Sequence, residues 1–177
     1  RPPAGLPVYE IKESAIPQNA FSPPSGFGLR PYQAEAIHAW SKAGGRGIFA
    51  MATGSGKTLT ALTLACKVAE KNQPLVLIVV CPFINLCRQW VREIAAFGLQ
   101  SVACFEGSDR WLTELEEGYQ RLAVGLSKAH AIVVTNSTFM SNRFQSIIRT
   151  RVDSSSTHHL LIADEVHNLG AKNVKNF

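Results

Sequence analysis

Apolar and polar positions alternate along this chain in two rhythms, one suited to buried strands and one to amphipathic helices. The run Leu-Val-Leu-Ile-Val-Val-Cys over residues 75–81 holds no polar position. It predicts a strand covered on both faces, as in parallel sheets. Between 111 and 126, Trp111, Leu112, Leu115, Tyr119, Leu122 and Leu126 keep helical spacing, and Glu114, Glu116, Glu117 and Arg121 fall on the other side. The same reading predicts a helix that opens near Pro31 and stops at Gly44-Gly45. After it come strand 47–50, helix 57–70, strand 75–81, helix 84–97, strand 101–105, helix 111–126, strand 131–135, helix 137–149 and strand 160–163. Strands alternating with helices imply right-handed βαβ units. The predicted class is therefore α/β, a mostly parallel sheet covered by helices on both faces. Residues 1–28 carry Pro2, Pro3, Pro7, Pro17, Pro23 and Pro24 without periodicity and read as a linker or wrapping arm. The folded domain is expected over residues 29–177.

Composition narrows this picture only a little. At 177 residues, 46% hydrophobic and 18% charged, the chain suits one globular domain with its own core. Cys66, Cys81, Cys87 and Cys104 show no CxxC pair, which favours reduced intracellular thiols. The adjacent His158 and His159 lack companions at metal-ligand spacing and read as structural. No basic-then-apolar leader is present, and the run 75–81 is too short to cross a bilayer. A soluble cytoplasmic protein without membrane partners is expected. The net charge of +5 suits a polyanionic partner without requiring one.

Chemistry enters at residues 51–58, Met-Ala-Thr-Gly-Ser-Gly-Lys-Thr, between the apolar run 47–50 and the helix-prone run 59–70. Glycines at such a turn let backbone N–H groups close around phosphate oxygens, and the following helix offers its free N–H groups and positive dipole end. Thr53, Gly54, Ser55 and Gly56 would form the cradle. Lys57 would reach the β- and γ-phosphates, and the Thr58 hydroxyl would ligate Mg²⁺. Met51 stands where the phosphate-loop pattern places a glycine. A second site is Leu-Leu-Ile-Ala-Asp-Glu-Val-His over residues 160–167, an apolar strand ending in two carboxylates. At the carboxyl edge of a parallel sheet, Asp164 would hold Mg²⁺ and Glu165 would act as general base on the attacking water. An Asp-Glu pair there also suits the start of a helix; the phosphate loop makes the catalytic reading the stronger one.

Together, MATGSGKT and DEVH resemble the first motor domain of superfamily 2 helicases and translocases of the DEAD/DEAH-like kind. The resemblance implies a RecA-like P-loop domain, ending here just after its Walker B strand, and ATP with Mg²⁺ as cofactors. Residues 29–37, LRPYQAEAI, resemble the family's adenine-reading motif, which implies Gln33 on the adenine edge with Arg30 or Phe27 close to the base. Residues 81–90, CPFINLCRQW, and 135–139, TNSTF, resemble its nucleic-acid-contacting motifs. Pro82, Asn85, Arg88 and Gln89, and the hydroxyls of Thr135, Ser137 and Thr138, are then the candidate contacts to a phosphate backbone. The same hydroxyls suit capping of the following helix equally well. Trp90 and Phe139 are expected in the core. On this likeness His167 couples the site to a second RecA-like domain of the full-length chain. Its flavour is that of DNA-acting relatives, restriction-type translocases and excision-repair helicases, with RNA as the alternative partner. A nucleotide-dependent scaffold without catalysis is the rival from another class. Without a second motor domain, residues 1–177 are expected to turn ATP over slowly and to leave apolar sheet surface open to self-association.

Overall fold

The computed structural model describes residues 21–105, 110–154 and 156–165. Along the chain run α1 (Pro31–Lys42), α2 (Lys57–Lys71), β1 (Leu75–Cys81), α3 (Ile84–Ala96) and β2 (Ser101–Cys104). There follow α4 (Arg110–Ala123), β3 (Ala129–Thr135), α5 (Asn136–Phe139), α6 (Asn142–Ser154) and β4 (His158–Ala163). The strands form one parallel sheet in the order β2-β3-β1-β4. β1 is buried at all seven positions, as a strand with neighbours on both sides and helices on both faces must be. Each of its aliphatic side chains stabilises the fold by roughly 1.5–3 kcal/mol relative to exposure.

The period of two along β1 and β3 divides the core. Leu75, Leu77, Val79, Cys81, Ala131 and Val133 meet α2 and α3, through Leu62, Ala65, Cys66, Trp90 and Ile94. Val76, Ile78, Val80, Ile132 and Val134 meet α4 and α6, through Leu115, Tyr119, Leu122 and Phe144. β4 closes one edge with a mixed burial pattern, and Leu161 is 43% exposed.

Three expectations are corrected. Residues 47–50 form no strand. The N–H groups of Ala50 and Met51 turn back onto the carbonyls of Ile48 and Phe49, and Ile48 is 78% exposed. A strand exists only by pairing, and this short run takes part in no ladder of the sheet. The helix expected over 111–126 ends at Ala123. Gly125, at φ 74°, takes the left-handed conformation that terminates a helix, and Leu126 and Ser127 donate back to Arg121. Leu126 is consequently exposed. The helix expected over 137–149 is two helices. The Ser141 hydroxyl accepts from Phe144 N–H and donates to Thr138 O, capping α6 and breaking the run.

One contact between α4 and β3 is tight enough to test. Gly118 is buried, and a Cβ built on it would overlap the His130 imidazole. Burial, and then the charge of Arg121, lower the pKa of His130 to about 4, so the ring is neutral at ordinary pH. Alanine in a helix interior normally gains about 1 kcal/mol over glycine. Gly118→Ala should instead destabilise the protein by about 1–3 kcal/mol through overpacking. Urea unfolding reads the sign, and His130→Ala in the same chain should restore the ordinary gain.

Candidate active site

The phosphate loop is built by two left-handed glycines and tied down from α1. Gly54 and Gly56 have φ of 77° and 85°, a region that side chains with a Cβ enter at a cost. Ser55 N–H and its hydroxyl both donate to Ala52 O, folding the loop on itself. Lys57 opens α2, and its ammonium donates to Met51 O at 3.0 Å and Ala52 O at 3.3 Å. The amine therefore already arches over the loop. A Cβ at Gly54 would meet nothing within 4 Å, so the turn keeps open space beside its backbone.

Gln33 is buried at 3% exposure, and both ends of its amide are engaged. Its Oε1 accepts from Arg30 N–H at 2.8 Å and its Nε2 donates to Ser55 O at 3.2 Å. The Tyr32 hydroxyl donates to the same Ser55 carbonyl at 2.8 Å, and Arg30 Nη1 donates to Tyr32. A Cβ at position 56 would sit 2.8 Å from Gln33 Nε2, so Gly56 is required by close approach as well as by its φ. Phe27 packs edge-on against Phe97. The expected adenine-reading segment thus grips the loop directly. Tyr32 was not legible as a partner, since nothing in its spacing marks the bond to Ser55.

Topology decides whether the loop and the carboxylates share an end of the sheet. α2 has 15 residues and β1 has seven, joined by residues 72–74. Both elements span roughly 22 Å, from rises of about 1.5 and 3.3 Å per residue. Since α2 packs along β1, its start lies level with the end of β1. There Val80 pairs with Ala163, and Asp164 N–H donates to Val80 O at 2.9 Å. Lys57 and Asp164 are on one edge.

At that edge Asp164 is held from two sides. Its Oδ2 accepts the Trp90 indole N–H at 2.8 Å, and its Oδ1 accepts Glu165 N–H at 3.0 Å. Glu165 is exposed and has φ 49°, uncommon for a residue with a side chain and a feature that clusters at functional sites. Trp90 lies in the core as expected, but the buried stripe Cys87, Trp90, Ile94 of α3 did not disclose its bond to a carboxylate 74 positions away. The only signal available was chemical: a buried indole N–H requires an acceptor. Cys81, at the same tip, is pushed well above the ordinary thiol range by its bond to Cys87, then by burial and by the Asp164 charge. Burial first, and then the charges of Glu70 and Glu114 respectively, take Cys66 and Cys104 up to about 12. These three thiols stay protonated at neutral pH and are not nucleophiles. Among the described residues no cluster of His, Cys, Asp or Glu forms a separate metal site.

The remaining candidates line the neighbouring strand tips. Cys81 and Thr135 are register partners, so the turns after β1 and β3 are adjacent. Asn85, Arg88 and Gln89 are exposed on α3, and Pro82 is half-buried. Thr135 is buried and caps α5: its Oγ1 accepts Thr138 N–H and lies 3.1 Å from both the Ser137 and Thr138 hydroxyls. Thr53 is exposed and Thr58 half-buried in the first turn of α2. His167 lies outside the described residues.

The family model described as "Type III restriction enzyme, res subunit" matches residues 26–177. The chain belongs to that family. As a res-subunit domain it has the RecA-like α/β fold and is a superfamily 2 helicase motor domain of the restriction and repair type. It is 47% identical over 66 residues to "DNA 3'-5' translocase XPB2" of Sulfurisphaera tokodaii, a stretch covering 37% of this chain and 14% of that relative. A nuclease-deletion mutant of the type ISP restriction-modification enzyme LlaGI, solved with a DNA substrate mimic, superposes with a TM-score of 0.64. That match is 20% identical and covers 81% of this chain and 16% of the enzyme, so it speaks for the fold. The res-subunit domain thus spans a small fraction of either relative. No helix among the described residues is long and apolar enough to cross a membrane.

Proposed function

We propose that this res-subunit domain is the ATP-binding half of a DNA helicase or double-strand DNA translocase. The observation that carries the reading is that the helix opening at Lys57 starts at the sheet edge where Asp164 and Glu165 follow β4, in a chain of this family. The residues fit a nucleotide with a divalent cation: a loop of two left-handed glycines opens onto a helix start, and hard carboxylate oxygens lie at the same sheet edge. Gly54, Ser55, Gly56 and Lys57 would hold the phosphates, Thr58 and Asp164 the Mg²⁺. Bound there, the cation would offset negative charge on the transferring phosphoryl group. Lys57 exchanges its two loop carbonyls for phosphate oxygens, and the Glu165 carboxylate orients a water and accepts its proton. Gln33 and Arg30 stand beside the loop for the base. Pro82, Asn85, Arg88, Gln89, Thr135, Ser137 and Thr138 meet the nucleic-acid backbone from the adjacent tips, with His167 passing the state of the site to a second RecA-like domain. On this reading the motor-domain segment is assigned to residues 29–177, with residues 1–28 preceding it. Four buried free cysteines support a reducing, cytoplasmic setting.

The test is ATP turnover by the full-length protein with double-stranded DNA, single-stranded DNA or RNA added. The names of the similar proteins, together with the net charge of +5, favour stimulation by DNA. Stimulation by RNA alone would transfer the reading to an RNA helicase. ATP-dependent partner capture without turnover would make it a scaffold.

A further inference from the structure

Asp164 is met from inside the core by a side chain that family motifs and spacing both leave as mere packing. Trp90 is 3% exposed on the buried face of α3. An indole has one donor and no acceptor. Around it the strand carbonyls are consumed by the parallel ladders of β1 with β3 and β4, and its N–H takes the Asp164 carboxylate at 2.8 Å. A hydrogen bond to an ionised acceptor is stronger than one between neutral groups.

The consequence is orientation. The Asp164 main chain is fixed by its N–H on Val80 O, Oδ1 is engaged by Glu165 N–H, and Oδ2 by Trp90. A carboxylate gripped at both oxygens cannot rotate about its last torsion, so the direction of its remaining lone pairs is set before any ligand arrives. The geometry points to Trp90 as the positioning residue for Asp164, the group that aims this carboxylate at a divalent cation bound with nucleotide. The inference rests on the nucleotide-binding reading above and adds to it a residue that touches neither nucleotide nor cation. Were Trp90 only packing, any large apolar ring would serve; the indole N–H is what distinguishes it.

The experiment reads binding, not turnover. Full-length protein is titrated with a fluorescent ADP analogue, first without divalent cation and then over a range of Mg²⁺ concentrations. In the unmodified protein Mg²⁺ should tighten ADP binding. In Trp90→Phe the Mg²⁺ concentration giving half of that tightening should rise by about 10–100-fold, the usual loss when a metal ligand's outer partner is removed. Metal-free ADP affinity should stay unchanged. Asp164→Asn should show the same defect, and the double variant no more than Asp164→Asn alone. Should the phenylalanine chain fail to fold, position 90 is filled with 3-benzothienylalanine, which keeps the bicyclic volume and lacks the N–H. An unaltered Mg²⁺ response in either replacement overturns the assignment, as does an equal loss of affinity with and without metal. A protein with intact Trp90 that binds no ADP, or binds it indifferently to Mg²⁺, removes the nucleotide reading itself and this inference with it.

Discussion

Glu165→Gln in the full-length protein should lower DNA-stimulated ATP turnover by about 10²–10⁴-fold, the usual worth of a positioned general base. ATP binding should remain within a few-fold of the original. The substitution is close to isosteric and leaves the local architecture in place. The bond from residue 165 to Asp164 Oδ1 comes from its main-chain N–H. The left-handed φ of 49° is no harder for glutamine than for glutamate. The exposed side chain plugs no part of the core. What is lost is a carboxylate able to accept a proton. Phosphate release measured beside equilibrium ATP binding separates the two effects. Unchanged release would remove Glu165 from the chemistry, and a parallel loss of binding would place it among the ligand contacts instead.

The fold was legible where a single physical rule governed a segment. The run 75–81 holds no polar side chain because both faces of β1 are covered, and its predicted bounds are those of the strand. The faces of α4 were set by the same reasoning, with Leu115, Tyr119 and Leu122 inside. Errors arose where a local rule met a nonlocal requirement. Residues 47–50 have the composition of a strand, but composition does not supply a pairing partner. Gly125 and Ser141 are local stop signals: helical spacing that runs on to Leu126 hides the first, and the second acts only through the Ser141 hydroxyl's bonds to Thr138 and Phe144. At the candidate site the loop and the carboxylates were legible because phosphate and metal chemistry dictate residue types at short spacing. The Tyr32 and Gln33 bonds to Ser55, and the Trp90 bond to Asp164, were not. They join residues 23, 22 and 74 positions apart, respectively. Only the folded sheet defines such distances.

Lys57→Ala should weaken ATP binding by about 10–100-fold while moving the melting temperature little. The Lys57 ammonium donates to Met51 O and Ala52 O across the loop. Both carbonyls lie in a segment that is half-buried or exposed, so water replaces the lost donors at small cost. Phosphate oxygens gain more from the ammonium than these carbonyls do, because both partners are then charged. A hydrogen bond to a charged group contributes about 1.5–3 kcal/mol net, and each 1.4 kcal/mol is about tenfold in affinity. Lys57→Arg should not rescue binding. The planar guanidinium is bulkier than the ammonium and cannot act as a compact point charge within a turn closed by Ser55 on Ala52. Calorimetric titration with ATP, beside thermal melting of each variant, checks both halves. An alanine chain that binds ATP at the original affinity would show that the arch over Met51 and Ala52 is the whole role of the amine, a loop brace with no phosphate to meet.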